Sequence, residues 1–296
     1  REKIHEINQH LIRREDGDEI VGTEERQMKK GERGKGKERQ SDTRATHIIP
    51  PTLNCSHCII FRIELQEVRE KKEHAPMRND DFFRPDTPPT GESYEDFFRT
   101  AEERYPALRV TRFAKSLLGR EIFAARIGDG GRHLFYVGTH HALEWITSYL
   151  LMDMILELAS AAEEKRQIEG INIGFLLQNF TFTILPVLNP DGVRLALGEI
   201  GETPLHDRQL RMSGGDFSSW QANARGVDLN HNYDRGFSAY KRLEREEGIF
   251  PGPTRFAGEY PESEPETHAV ASYLRTTVPE AVITLHSQGE EIYFSP

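Results

Sequence analysis

His133-Leu134-Phe135-Tyr136-Val137-Gly138-Thr139-His140-His141-Ala142-Leu143-Glu144-Trp145 is the stretch on which the fold turns. Its first five residues are apolar or aromatic and suit a buried strand, Gly138 breaks the run, and from Glu144 to Ala162 the pattern changes to a long helix. Ile146, Tyr149, Leu150, Met152, Met154, Ile155 and Leu158 are expected to face the sheet. A strand that passes through a short polar turn into a long helix is half of a parallel β-α-β unit, and the chain repeats the pattern on both sides. Tyr94 to Tyr105 reads as a helix that buries Phe97, Phe98 and Ala101; Glu121 to Ile127 and Thr181 to Leu188 read as strands. A helix from about Ser263 to Arg275 precedes a last strand, Ala281 to Leu285. The expected fold class is therefore α/β, a mixed, largely parallel sheet with helices on both faces.

Composition limits the rest. The 296 residues suffice for one large domain or two small ones, and the formal charge of -10 argues against a general nucleic-acid binder. A mean hydropathy of -0.63 and the lack of any run of ~18 uninterrupted apolar residues predict no membrane span and a soluble chain. Two cysteines cannot build a disulfide framework. No secretory signal is visible, which favours the cytoplasm, though the first residue is arginine.

Residues 1–80 carry 17 basic and 16 acidic side chains, against 21 and 32 in the remainder, so the acidity belongs to the later part. Only 21 of those 80 are apolar, too few for a packed core. Residues 1–90 are read as a weakly folded or disordered charged leader and 91–296 as the functional domain. Within the leader, an island from Ile59 to Val68 reads as a short strand or helix with no evident packing partner. His5 and His10 are five apart, which rotates them off a shared helix face, and Cys55 and Cys58 are a lone pair without a second one.

In open α/β sheets functional side chains collect at the carboxyl ends of strands. Two of the expected strand ends carry metal-binding residue types: His141 with Glu144 three residues on, and His286 after the strand Ala281 to Leu285. Two imidazoles and one carboxylate make a catalytic zinc set with a position left for water. On spacing alone, a solvated histidine and a glutamate placed well for the helix dipole account for the first pair as simply.

The order of motifs decides between them. Gly138, His141, Glu144 and Trp145, then Asn189-Pro190-Asp191-Gly192, then Gly226-Val227-Asp228-Leu229-Asn230-His231-Asn232-Tyr233, then His286 resemble the blocks of the zinc carboxypeptidase family in the family's order. The resemblance implies zinc held by His141, Glu144 and His286, a peptide substrate, and hydrolysis by a zinc-activated water. By itself Asn189-Pro190-Asp191-Gly192 reads as a turn in which Gly192 accepts positive φ. Asn230 and His231 lie in a loop where polar side chains could hold a substrate carboxylate.

This sequence departs from the family in three places. The general-base Glu and a substrate-contacting Tyr stand well beyond the third ligand in the family, and here ten residues follow His286. The expectation is that the base lies outside this chain; Glu290 and Glu291 are not at its position. Where the family has Asn-Arg, this chain has Asn230-His231, and histidine cannot make the bidentate fork that grips a terminal carboxylate. The oxyanion-stabilising Arg has Gln221 in its register, with Arg225 the alternative nearby.

The details look most like the bacterial branch that cleaves γ-D-glutamyl-diaminopimelate bonds in cell-wall peptides. An inactive zinc-binding fragment and a zinc deacylase of small amino-acid conjugates are the competing readings. Ending beside a central-type strand is also expected to leave one edge of that strand unpaired.

Overall fold

The computed structural model describes residues 58–62, 88–199, 201–289 and 292–294. In chain order the elements are strand β1 (Cys58–Arg62), helix α1 (Gly91–Arg104), and strands β2 (Leu108–Lys115), β3 (Glu121–Ile127) and β4 (Arg132–Val137). A 3-10 turn (Ala142–Glu144) leads into α2 (Ile146–Glu164), followed by a small hairpin of β5 (Gln167–Ile168) and β6 (Ile171–Asn172). Next come α3 (Ile173–Asn179), β7 (Phe180–Leu185), α4 (Pro190–Ala196) and α5 (His206–Ser213). After a second 3-10 turn (Leu229–His231) the chain forms α6 (Phe237–Glu247), α7 (Pro265–Thr277), β8 (Ala281–His286) and β9 (Ile292–Phe294).

Seven strands form one mixed sheet in the order β2-β3-β7-β4-β8-β1-β9. Its centre is parallel: β4 pairs in parallel with β7 and β8, and β8 with β1. Its margins are antiparallel, β2 on β3, β3 on β7 and β9 on β1. Parallel neighbours require crossovers, and α2 supplies the one between β4 and β7.

Period-two alternation divides the core between the two faces. Phe123, Ala125 and Ile127 of β3 point to one side with Leu134, Tyr136, Phe182 and Ile184, where α1 and α2 cover them. Helix α1 buries Tyr94, Phe97, Phe98 and Ala101, the i, i+3, i+4, i+7 stripe, and the Phe98 ring stacks on Phe123 at 5.2 Å. On the other side Ile122, Ala124, Phe135, Val137 and Leu185 meet Val270 of α7. There Tyr273 packs against Phe135 at 5.0 Å and donates its hydroxyl to Thr183 Oγ1 at 2.8 Å.

Helix α2 with its leading turn, Ala142–Glu164, is long and apolar enough by length and composition to cross a membrane, and half of that window is buried. Its core stripe is Ser148, Leu151, Met152, Ile155, Leu158 and Ala159, so Leu151 takes the place expected for Leu150.

Two expectations are corrected by strand pairing. The island near Ile59 does have a partner, because Cys58–Arg62 inserts between β8 and β9 in the main sheet. For the same reason β8 is paired on both sides, by β4 and β1, and the edge expected to be open is covered. His5, His10, Cys55, Glu290 and Glu291 lie outside the described residues.

Parallel register levels the strand ends. Val137 is opposite Leu185 on one side and Thr284 on the other, so the residues just beyond β4 and the last residue of β8 emerge at one edge.

Candidate metal centre

That edge brings His141, Glu144 and His286 together. One ligand atom from each lies within 4.8 Å of the others, and all three residues are buried. His286 Nδ1 stands 2.8 Å from Glu144 Oε2, and His141 Nδ1 stands 3.3 Å from the same oxygen. His141 caps the 3-10 turn Ala142–Glu144 and Glu144 ends it, so both side chains are presented before α2 begins.

A fourth residue fixes the set from behind. Asp228 Oδ1 lies 3.3 Å from His141 Nε2. With that nitrogen turned to a carboxylate, Nδ1 is the atom left for a metal, which is how metal-bound histidines are usually oriented. Asp228 is itself anchored: its oxygens accept from the N–H groups of Asn230 at 3.2 Å and Arg255 at 3.0 Å. Asp228 lies inside the Gly226–Tyr233 block, but no motif marks it as the partner of His141. The available signal was its position two residues before Asn230, where an Asp caps the short turn that follows.

The electrostatics agree with this arrangement. Burial works against ionisation of Asp228, yet His231, His141 and the Arg255 N–H hold its carboxyl far below the usual range. Burial likewise opposes the charge on Glu144, but the two histidines bring its pKa down to about 2. His141 is pulled down by burial and pushed up more strongly by Asp228 and Glu144, to about 10. Metal binding at such a set is coupled to release of any proton held by the ligating imidazole. The donor set fits zinc: two imidazole nitrogens, one carboxylate and a carboxylate behind an imidazole.

Neighbouring His140 takes a different part. Burial, reinforced by His286 and His141, pushes it well below its ordinary value, so it is neutral, and its Nε2 bonds the Tyr233 hydroxyl at 2.8 Å. The Asn189 block ties the edge together from below. Asn189 Nδ2 donates to His140 O at 3.1 Å and Ala222 O at 3.1 Å, while its Oδ1 caps Gly192 N–H at 3.0 Å. The block opens α4, so the turn expected there is a helix start. Gly192 is needed for space, since a Cβ would sit 2.4 Å from Ala222 O.

Of the two expected substrate residues, His231 connects to the centre through Asp228. Its ring lies flat on Tyr240, with centroids 4.0 Å apart and planes 10° apart, and its Nε2 is 4.0 Å from Asp228 Oδ2. Burial lowers its pKa, so the imidazole is neutral near neutral pH. Asn230 is half-buried on the same 3-10 turn, and its side chain makes no hydrogen bond to another described residue. Arg225 is committed elsewhere: its guanidinium pairs with buried Glu264, at 2.8 and 3.0 Å. Gln221 holds Ala142 N–H with its carbonyl at 2.9 Å, and its Oε1 accepts from Thr254 Oγ1 at 2.7 Å.

Comparison with known proteins places this geometry in a family. The chain is 33% identical over 194 residues to Gamma-D-glutamyl-L-diamino acid endopeptidase 1 of Lysinibacillus sphaericus, covering 64% of this chain and 48% of that one. It is 30% identical over 154 residues to Carboxypeptidase O of Bos taurus, covering 51% and 36%. It thus spans about half the length, or less, of the curated relatives it matches. In fold it is similar to the carboxypeptidase A from Helicoverpa armigera, with a TM-score of 0.52, 22% identity and coverage of 76% and 51%. The zinc carboxypeptidase family matches residues 94–296, the whole stretch that carries the sheet edge and its ligands, and the chain belongs to that family.

Proposed function

We propose that this chain carries the metal centre of a zinc-dependent peptidase that hydrolyses amide bonds in peptides. The observation that carries the reading is the convergence of His141, Glu144 and His286 at one sheet edge with Asp228 behind His141. Zinc held there would polarise a scissile carbonyl and make a water acidic enough to react near neutrality. The chain's own residues do the rest of the preparation. Asp228 orients His141, and neutral His140 is held by Tyr233.

The finer proposal concerns the substrate. A protease that reads a free C-terminus needs a cation for the terminal carboxylate, and guanidinium does this best because it can bond both oxygens. His231 is neutral and stacked, Arg225 is paired with Glu264, and Arg255 with Glu247. These features favour an internal or isopeptide bond over a terminal one. The similarity to a γ-D-glutamyl-L-diamino acid endopeptidase points the same way. We therefore infer a γ-D-glutamyl-diamino acid peptide of the cell-wall type as substrate.

The test is direct. Purified protein is expected to hold one zinc per chain, with His141→Ala and His286→Ala each losing it. A γ-D-glutamyl-diaminopimelate peptide and a peptide with an ordinary free C-terminus are then compared, with and without chelator. Preference for the second peptide refutes the substrate reading; unchanged zinc content in both variants refutes the metal centre.

A further inference from the structure

The turn that presents His141 and Glu144 starts from a strained residue. Thr139 has φ of 55°, in the left-handed region that a β-branched side chain occupies only at a cost. It is completely buried, so solvent offers its polar groups nothing. Each of them is satisfied within the turn or beside it. The N–H donates to Thr147 Oγ1 at 2.9 Å, and the carbonyl accepts from Asn189 N–H at 3.2 Å. Its hydroxyl lies 3.1 Å from Pro186 O and 3.2 Å from Thr147 Oγ1.

Thr147 closes the other side. Its hydroxyl proton goes to Glu144 O at 2.8 Å, which leaves the oxygen free to accept from Thr139. A single hydroxyl therefore joins the first residue of the turn to the backbone of one candidate ligand, and His141 lies between the two. Gly138 makes the approach possible, since a Cβ there would come 2.7 Å from Pro186 O and 3.2 Å from Thr147 Oγ1.

We propose that Thr139 and Thr147 form a clasp that sets the bite between His141 and Glu144 before a metal arrives. Both are positioning residues, because neither offers an atom to the metal set. The proposal rests on the reading of His141 and Glu144 as ligands. A strained residue at this point has a physical use: a turn already bent to shape gives up less freedom when the cation binds.

Zinc affinity of the full chain, by competition with a chromophoric chelator, and the visible spectrum of the cobalt-substituted protein test this. Thr147→Val keeps the shape and removes the hydroxyl. It is expected to weaken zinc binding by about tenfold to a hundredfold, as loss of an outer-shell partner does, and to change the cobalt spectrum. Thr147→Ser keeps the hydroxyl and is expected to match the parent in both.

Should Thr147→Val fail to fold, Thr139→Gly decides, because it allows the left-handed backbone but lacks the hydroxyl; weaker zinc binding is again expected. A folded variant lacking either hydroxyl that binds zinc as the parent does, with the parent's cobalt spectrum, overturns the clasp. A parent that takes up no zinc overturns the metal centre itself and the clasp with it.

Discussion

Glu266 is the residue through which pH is expected to act on the stability of this fold. It sits in the first turn of α7, fully buried, and its Oε1 accepts from the Leu117 N–H at 2.9 Å. Burial raises its pKa from 4.5 to about 7, and the carboxylates of Asp191 and Glu264 add to the effect against the opposing pull of the Leu117 N–H. The nearby cations are already engaged, Arg120 with Asp191 and Arg225 with Glu264.

A carboxyl with a folded pKa above its unfolded value binds the proton more tightly when folded. Its contribution is complete below about pH 4.5 and is lost as pH rises through about 7, where the charge must be buried. The shift corresponds to roughly 3 kcal/mol, at about 1.4 kcal/mol per pH unit. Glu266→Gln removes the charge and keeps an acceptor for Leu117. Urea melts of both proteins at pH 5 and pH 8 give a double difference in which all other titrating groups cancel. The variant should gain on the parent by about 2–3 kcal/mol between the two pH values, becoming the more stable protein at pH 8. Parallel behaviour, with the two differences equal within about 0.5 kcal/mol, would refute the reasoning.

Three other outcomes follow from the same geometry. Asp228→Asn should weaken zinc binding by about tenfold to a hundredfold in a protein that still melts cooperatively, as read by chelator competition. Gly192→Ala places a Cβ 2.4 Å from Ala222 O and should lower stability by about 1–3 kcal/mol in thermal melts. Arg225→Ala leaves the Glu264 carboxylate buried without its cation and should cost about 3 kcal/mol, with zinc content unchanged. Loss of zinc in that last variant would show that Arg225 supports the centre after all.

What could be read in advance depended on how local the cause was. β3 and β4, the turn at His141 and the strand leading to His286 announce themselves because a buried strand and its carboxyl end lie within a few residues of each other. β2 did not, since a margin strand with one buried residue and irregular exposure has no clear alternation. β1 shows only as an apolar island, strand or helix, because the partners that make it a strand, β8 and β9, are more than 200 residues along the chain. Asn189-Pro190-Asp191-Gly192 is ambiguous in principle, as Asn followed by Pro opens a turn and caps a helix equally well. What settles Gly192 is a carbonyl on a distant loop, which no local rule contains.

Thr139 carries the point furthest. From its neighbours it reads as one more residue at the end of a strand, and β-branching favours an extended backbone. Its left-handed conformation is held by partners from two other parts of the chain, Thr147 in α2 and the Pro186–Asn189 loop after β7, which bond its polar groups. The ligand types at the sheet edge are therefore written in two short stretches, at His141–Glu144 and at His286, while the angle at which the first two meet is written across the fold. A substitution that displaces the Pro186–Asn189 loop, which supplies no ligand, should on this account lower zinc affinity as read by chelator competition.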